Sequence, residues 1–263
     1  MATKKAVESE VSILEVERAT MDFHILGTSP LIMNRMSQKV WHELLAPKGK
    51  KTAAEKASGL KHNPIQEFQN SPYILPEGPT ALAVMATAFK KAMGTAALDM
   101  PGAKKAQILR LIYVEGEMVG IYGLPKLFMA ITRSADMNRT PDVRTRAILP
   151  EWACKLSITF TKPIMRETAI ANLLAAAGLQ SGVGDWRQEK GSGSYGAFKL
   201  VGYDDKDFNR IIKSQGRDEQ IEALENPVAY NDETSEMLAW FNIEIEKRDF
   251  KIWVSRYEKE NHR

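Results

Sequence analysis

Residues 178–201 read GLQSGVGDWRQEKGSGSYGAFKLV, with six glycines in nineteen positions. Glycine at this density is typical of a backbone that takes positive φ angles or that another backbone approaches closely. The glycine-rich part, 178–196, carries two cations and two aromatic rings, which suit phosphate contacts and base stacking: Trp186, Arg187, Lys190 and Tyr195. Because an apolar helix precedes the stretch and a strand follows it, we expect a loop shaped for binding.

This loop does not match the common nucleotide-binding motifs. No GK[ST] closes it, as a P-loop requires, and no strand precedes it, as a dinucleotide-binding turn requires. We therefore expect no cofactor. The alternative to a binding loop is a structural turn in which Trp186 anchors the core.

Outward from the loop, hydrophobic periodicity predicts an alternation of strands and helices. Strands are predicted over 16–29, 127–132, 154–161 and 197–201, helices over 79–97 and 166–178, and a hairpin over 108–122. Gly94 and Gly178 are the expected helix ends, and 115–117 is the expected hairpin turn. Residues 237–256 favour one amphipathic helix, with a strand at 250–254 (FKIWV) as the alternative.

This succession of elements is the βαββαβ order of a ferredoxin-like or RRM-like fold. The sequence thus predicts an α+β protein whose core spans 1–202, with insertions at about 34–72 and 133–150. A short helix is expected near Gln38–Leu45, within the first insertion. A sheet of this type carries helices on one face and leaves the other open for single-stranded nucleic acid.

The composition is that of a globular protein in a reducing compartment. The chain has 263 residues, of which 44% are hydrophobic, and its one cysteine, Cys154, excludes an intramolecular disulfide. No run of eighteen apolar residues predicts a membrane span, and the charged N-terminus lacks the apolar region of a signal peptide. We expect a cytoplasmic protein without a membrane partner.

Charge is distributed unevenly along the chain. Residues 1–202 include 26 basic and 18 acidic residues, a balance of +8, whereas 203–263 include ten and fifteen, a balance of −5. This asymmetry is expected of a nucleic-acid-binding protein or of one that assembles head-to-tail. We expect 203–263 to be an acidic helical extension that packs on the core or on a neighbouring subunit. Solvated faces of both signs are the alternative.

Two basic segments are candidate binding surfaces. Residues 34–62 carry seven cations against two acids, and residues 133–146 carry four arginines against two aspartates. Arginine binds phosphate in a bidentate fork and stacks on bases, although a solvated loop would have the same composition. Outside the first segment and the glycine-rich loop, the cations that we take as candidate binding residues are Lys90 and Lys91, on the flank of the first helix, and Arg133, Arg139, Arg144 and Arg146.

Catalytic and metal sites are not expected. The chain has no HExxH, no CxxC and no paired-carboxylate motif. Its four histidines are scattered over polar segments and the first strand: His24, His42, His62 and His262. In that strand His24 alternates with Phe23 and Ile25, so it is expected on the open side of the sheet.

Three segments occur in a characteristic order: PLIMNR at 30–35, ILPEGPTALAVMATAFKKA at 74–92 and GVGDWRQEKGSGSYGAFKLV at 182–201. Together they resemble the RAMP superfamily, the RRM-like proteins of CRISPR effector complexes, and especially their backbone subunit. In that family such segments are, in turn, a guide-RNA contact, a turn into an alanine-rich first helix, and a glycine-rich loop before the last strand. The chain also resembles bacteriophage proteins of this architecture.

The resemblance implies roles for particular residues. It places Asn34, Arg35 and Lys39 in an RNA-binding groove, and residues 133–146 are similar in position to the family's thumb-like protrusion. It also implies that His24, Asp136 or Asp142 would be the residue to examine for RNA cleavage.

We therefore expect a non-enzymatic protein that binds single-stranded RNA or DNA and assembles head-to-tail as a homo-oligomer along the strand. Two alternatives remain open. One is an RNA-processing endonuclease of RAMP type, and the other is a protein-binding mimic of a CRISPR subunit.

Overall fold

The computed structural model describes residues 15–35, 45, 62–133, 141–190 and 193–261. These residues form ten strands and seven α-helices, so the α+β class predicted from the sequence is confirmed. The helix predicted near Gln38–Leu45 lies outside the described residues, except for Leu45. Within the described part of the chain, no helix combines the length and apolar character needed to cross a membrane.

Most predicted strands are confirmed to within a few residues, and the C-terminal segment is a helix. The strands are β1 Glu17–Gly27, β2 Leu31–Met33, β3 Tyr73–Ile74, β4 Leu82–Met85, β5 Ile112–Val114, β6 Met118–Tyr122, β7 Lys126–Arg133, β8 Pro141–Leu149, β9 Ala153–Lys162 and β10 Phe198–Val201. The helices are α1 Pro64–Asn70, α2 Ala86–Ala96, α3 Lys105–Leu111, α4 Glu167–Gln180, α5 Lys206–Ser214, α6 Arg217–Glu225 and α7 Asp232–Asn261.

The larger sheet is antiparallel and has the strand order β10-β1-β9-β6-β4-β3, with β5 also paired to β9. Its longest ladder joins β1 to β9, from Glu17 opposite Lys162 to Leu26 opposite Ala153. One face of this ladder is apolar because Phe23 on β1 and Leu156 on β9 alternate with polar neighbours. This face forms the main core with α2 and α4.

The helix predicted over 79–97 begins only at Ala86. Residues Leu82–Met85 form β4 instead, which pairs with β3 on one side and β6 on the other. The alanine-rich composition favoured a helix, but two neighbouring strands supply hydrogen bonds that override this local preference. Gly94 does not end α2, which continues to Ala96. A Cβ atom at Gly94 would lie 2.8 Å from a methyl carbon of Leu109 on α3, so the glycine allows the two helices to pack closely.

Two further sequence predictions are wrong in detail. Gly178 lies inside α4 rather than at its end, and a Cβ atom there would overlap the carbonyl oxygen of Phe198 on β10. The predicted hairpin over 108–122 does not form, because residues up to Leu111 are helical and β5 and β6 both pair with β9. The turn at 115–117 is present, with Gly116 at a φ of 77°.

The smaller sheet has the order β2-β8-β7 and is also antiparallel. Its β7–β8 ladder runs from Lys126 opposite Ile148 to Arg133 opposite Pro141. The insertion predicted at about 133–150 contains a strand, because Pro141–Leu149 form β8, so the solvated-loop alternative does not hold over 141–146. The polar residues at the start of β8 hid its alternation, which begins only at Val143.

Helix α5 packs on the larger sheet, whereas α7 contacts β7 of the smaller one. Phe208 and Ile211 of α5 are buried against Leu26 and Ala153, on the sheet face opposite the main core. The ring of His24 stacks on that of Phe208, with 4.6 Å between the ring centroids. The sheet face that was expected to be open is therefore partly covered by α5.

Helix α6 closes the edge of the same sheet with one buried side chain. The Gln220 Oε1 accepts hydrogen bonds from the backbone N–H groups of Ala81 and Leu82, at 2.8 and 3.1 Å. Its Nε2 donates to the carbonyl oxygens of Ile121 and Gly123, at 2.7 and 3.0 Å. Because buried backbone groups need partners, α6 is part of the fold rather than an appendage.

Candidate nucleic-acid interface

The glycine-rich loop is fixed against β2. The Asp185 N–H donates to the carbonyl oxygen of Ile32 at 2.9 Å, and the Gly196 N–H donates to that of Pro30 at 2.8 Å. Gly184 has a φ of 86°, and a Cβ atom there would lie 2.6 Å from the Ile32 carbonyl oxygen. Glycine is therefore required at this position, both for the backbone angle and for the close approach.

The two aromatic residues of the loop pack on the smaller sheet. Trp186 meets the ring of Phe128 edge-to-face, with 5.9 Å between centroids, and Tyr195 lies 6.4 Å from the same ring. Tyr230 contacts Phe128 from the chain segment before α7, at 5.6 Å. Burial, together with Tyr230, raises the pKa of Tyr195. Both loop rings are half-buried, so each combines a packing role with an accessible edge.

Asp185 connects the loop to two other segments, and it was missed in the sequence. Its Oδ2 accepts a hydrogen bond from Asn34 Nδ2 at 2.9 Å and lies 3.9 Å from Arg146 Nε. Its Oδ1 accepts from the Trp186 N–H at 3.1 Å. A single carboxylate thus joins the end of β2, the glycine loop and β8. No local motif marked it, because its partners are distant in sequence.

Arg146 is a partly buried cation on β8. Desolvation is the main cause that lowers its pKa, Asp185 acts in the opposite direction, and Arg144 lowers it further. One guanidinium nitrogen donates to the Thr145 carbonyl oxygen at 2.9 Å, whereas the buried Nε has no hydrogen-bond partner among the described residues. Since arginine stays protonated in proteins, this site favours a further anionic or carbonyl ligand.

A second polar group lies at the start of β8. His62 bridges two carboxylates, with Nδ1 at 2.8 Å from Glu67 Oε1 and Nε2 at 2.9 Å from Asp142 Oδ1. Arg144 pairs with the other oxygen of Asp142 at 3.3 Å. The carboxylates lie at opposite ring nitrogens, so they do not converge on one ion, and the described residues contain no group able to hold a metal. His62 and Glu67 were not predicted as site residues.

A cavity of about 250 Å³ lies where the end of β2, the start of α2 and the glycine loop meet. It is lined by Asn34, Lys91 and Arg187, which the sequence predicted, and by Thr87 and Ala88 in the first turn of α2. These belong to the same three segments that suggested a family resemblance. The structure therefore brings together residues that are up to about 150 positions apart in the chain.

The other predicted residues lie elsewhere or are engaged within the chain. The Arg35 guanidinium lies over the Tyr73 ring, at 5.7 Å, and Arg187 pairs with Glu189 at 2.7 Å. Lys90 is half-buried on α2 away from the cavity lining, and Arg133 is exposed at the end of β7. Predictions for Lys39, Arg139, Asp136, His42, His262 and the Lys190 side chain fall outside the described residues.

Comparisons with known proteins find similarity among solved structures alone. No family model and no curated protein matches the chain. Among solved structures, the crystal structure of Cmr6 from Pyrococcus furiosus is similar to this chain with 9% sequence identity and a TM-score of 0.37. The match covers 70% of this chain and 98% of the Cmr6 chain.

Proposed function

We propose that this protein binds single-stranded nucleic acid, without cleaving it, in a groove that runs from the cavity beside α2 to the arginines of β8. One observation carries the proposal. Three segments distant in sequence converge on a cavity of about 250 Å³ whose lining includes two cations, two carboxylates and an amide. Convergent polar groups around a concave, partly apolar site are the usual features of a ligand site.

The groups at this groove suit a phosphodiester backbone. Lys91 is exposed at the cavity, and Arg144 has about half of its side chain exposed, at 48%. Arg146 adds a cation whose nearest carboxylate is at 3.9 Å, too far for a hydrogen bond. The first turn of α2 adds backbone N–H groups at the positive end of the helix dipole. Binding of this kind is mainly electrostatic and tolerates many sequences.

The proposal includes a ferredoxin-like core made of β1, α2, β5, β9, α4 and β10. The antiparallel order β10-β1-β9-β5 supports it, because this is the order expected of a βαββαβ unit whose two helices share one face. The opposite face is a weaker candidate for binding. On that face Asp22 accepts a hydrogen bond from Ser157, and α5 covers His24, which reduces the surface available to a ligand.

The proposal also includes head-to-tail assembly along the strand. The charge balance of +8 over 1–202 and −5 over 203–263 supports it, as do exposed acids such as Glu222 and Glu225 on α6. Deleting 203–263 would not test assembly cleanly, because Gln220 is needed at the sheet edge. The test is therefore the double variant Glu222→Gln, Glu225→Gln. Sedimentation at low salt should show smaller assemblies; an unchanged distribution would remove the acidic face from the proposal.

Binding is tested with fluorescent single-stranded RNA and DNA over a salt series. A log–log slope of about −3 or steeper is expected, which corresponds to four or more phosphates at ~0.7 each. Lys91→Gln should flatten the slope by about 0.7, whereas Lys155→Gln, an exposed lysine on the opposite sheet face, should leave it unchanged. The ratio of the RNA and DNA affinities identifies the ligand.

Two results would overturn the proposal. Weak binding without salt dependence would favour a protein partner, and a slope that responds to Lys155 instead of Lys91 would favour the opposite sheet face. Gel analysis of the same oligonucleotides after incubation tests the non-enzymatic part. Cleaved product that persists in EDTA would favour the endonuclease alternative.

A further inference from the structure

We propose that the cavity beside α2 is a nucleobase subsite, which takes one unstacked base of the bound strand and prefers guanine. This inference rests on the proposed function and names the part of the ligand that enters the cavity. Its ligand is thus a base, with the phosphates outside, rather than a phosphate group alone.

The walls of the cavity are apolar, which suits a flat ring better than a phosphate. Met33, Val84 and Val183 line it, and Gly182 and Gly184 contribute backbone without a side chain. A flat ring gains free energy by burying its apolar faces against such walls, whereas a phosphate has no apolar face to bury. A volume of about 250 Å³ is below the usual range of about 300–1,000 Å³ for drug-sized ligands, so it suits one ring system.

Hydrogen-bond acceptors lie at one end of the cavity. Asp185 is a carboxylate and only accepts, so the Asn34 group 2.9 Å from its Oδ2 is the NH₂, which leaves Asn34 Oδ1 as an acceptor. Asp185 Oδ1 accepts from the Trp186 N–H, and lone-pair positions remain on both oxygens. The carboxylate is held in place by the loop, and it lies on the cavity lining.

An acceptor-rich site selects bases by the N–H donors on their edges. Guanine offers two adjacent donors, N1–H and the N2 amine, which match one carboxylate in a bidentate pair. Adenine and cytosine offer one amine, and uracil and thymine offer a single ring N–H. A bidentate pair of this type discriminates by about tenfold or more. We therefore expect guanine first, adenine and cytosine next, and uracil or thymine last.

The cations lie where the sugar and phosphate of such a base would leave the cavity. Lys91 is exposed on α2 at the cavity lining, and Arg187 lies on the glycine loop beside it. The bases that flank the occupied one would then follow the strand toward Arg144 and Arg146 on β8. The subsite thus adds a base preference to otherwise electrostatic binding.

The test is calorimetric titration of the full chain with GMP, AMP, CMP, UMP and ribose 5-phosphate. GMP should bind about tenfold more tightly than UMP, and ribose 5-phosphate should be the weakest. Asp185→Asn should remove the difference between GMP and UMP, because an amide also donates. Equal affinities for GMP and ribose 5-phosphate would overturn the inference, since the cavity would then hold phosphate.

A second variant covers the case in which Asp185→Asn disturbs the loop. Ala88→Leu extends a half-buried side chain of the cavity lining on a helix, where leucine is well tolerated. It should abolish GMP binding and remove the base preference of strand binding. Ala106→Leu, at an exposed position of α3, is the matched control and should change neither.

The two proposals fail in different ways. Strand binding that is salt-dependent, with no base preference and no effect of Ala88→Leu, would overturn the subsite and leave the proposed function intact. GMP binding that responds to Ala88→Leu, with no binding of strands, would support the subsite and overturn the proposed function.

Discussion

The β1–β9 ladder and the β7–β8 ladder have the same backbone arrangement but carry different side chains on their faces. Both are antiparallel, and each places alternate side chains on two faces. On β9, Ile158 and Phe160 point into the main core and are almost fully buried. On β8, Arg144 and Arg146 point toward a surface where Asp142 and Asp185 lie. The second ladder also contributes Met129 and Ala147 to the main core, but its other face holds paired charges in place.

The difference follows from what each face packs against. Apolar burial stabilises by about 25 cal/mol per Å², so the β1–β9 ladder gains from every residue on its core face. A partly buried guanidinium such as Arg146 loses hydration, and an ion pair only partly offsets that loss. Such a group contributes little to folding, and this is one reason why we propose a ligand-binding role for it.

The largest expected effect is on the core face of β9. Phe160→Ala should lower the free energy of unfolding by about 3–5 kcal/mol, because it removes a buried ring and leaves a cavity. Urea unfolding measures this loss, and Lys155→Ala on the exposed face of the same strand is the control. The affinity for nucleic acid per folded molecule should be unchanged. A core variant that stayed folded but lost the salt-dependent binding would break the division between the two ladders.

The next largest effect tests whether α6, in the acidic C-terminal segment, stabilises the larger sheet that contains the first ladder. Gln220→Ala removes the amide oxygen and the amide nitrogen that bond to the backbone of the larger sheet. It leaves the N–H groups of Ala81 and Leu82 buried without a hydrogen-bond partner. We expect a loss of about 3 kcal/mol in thermal or urea unfolding. Gln69→Ala, which removes one exposed hydrogen bond to Leu224, should cost less than about 1 kcal/mol. Equal losses would mean that α6 is an appendage.

A smaller free-energy effect, in binding rather than stability, is expected on β8. Arg144→Gln should change unfolding by no more than about 0.5 kcal/mol, because the side chain is half exposed. It should flatten the log–log salt slope by about 0.7, as one phosphate contact is lost. Arg210→Gln on α5 removes an exposed arginine elsewhere and should leave the slope as it is. An identical slope for both variants would remove Arg144 from the groove.

The contrast between the ladders also explains what the sequence could predict. Phe23, Leu156 and Ile158 alternate with polar residues, so their strands were predicted from this two-residue hydrophobic period alone. The glycine loop was found from its composition, because positive φ angles such as that of Gly184 require glycine. These signals are local, and each can be read within about ten residues.

The remaining features depend on contacts between distant segments. The start of α2 was misplaced because β3 and β6 recruit Leu82–Met85 into a sheet. Asp185 was missed because its partners, Asn34 and Arg146, are 151 and 39 positions away. His62 was dismissed as scattered, although Glu67 and Asp142 hold it. Polar networks of this kind leave no periodic signal in a single sequence.

The smallest expected effect concerns an exposed ion pair on the side of the first ladder. Arg210 on α5 donates to both oxygens of Glu151, just before β9, at 3.0 and 2.9 Å. The hydrogen bond from Arg210 is the main cause that lowers the pKa of Glu151 below 4.5. A carboxyl with a lowered pKa stabilises the fold above its ordinary pKa, and this contribution disappears as the pH falls through the lowered value.

Glu151→Gln should therefore lower the melting temperature by only about 1–2 °C at pH 7, because exposed ion pairs are screened by solvent. The difference between wild type and variant should shrink as the pH falls through the lowered pKa of Glu151 and vanish once this carboxyl is protonated. Melting scans from pH 7 to 3 measure this, with Glu167→Gln, which removes the exposed pair with Lys162, as the control. A loss as large as that of Phe160→Ala would mean that charge, and not apolar packing, stabilises the first ladder. That result would remove the physical basis for assigning stability to one ladder and binding to the other.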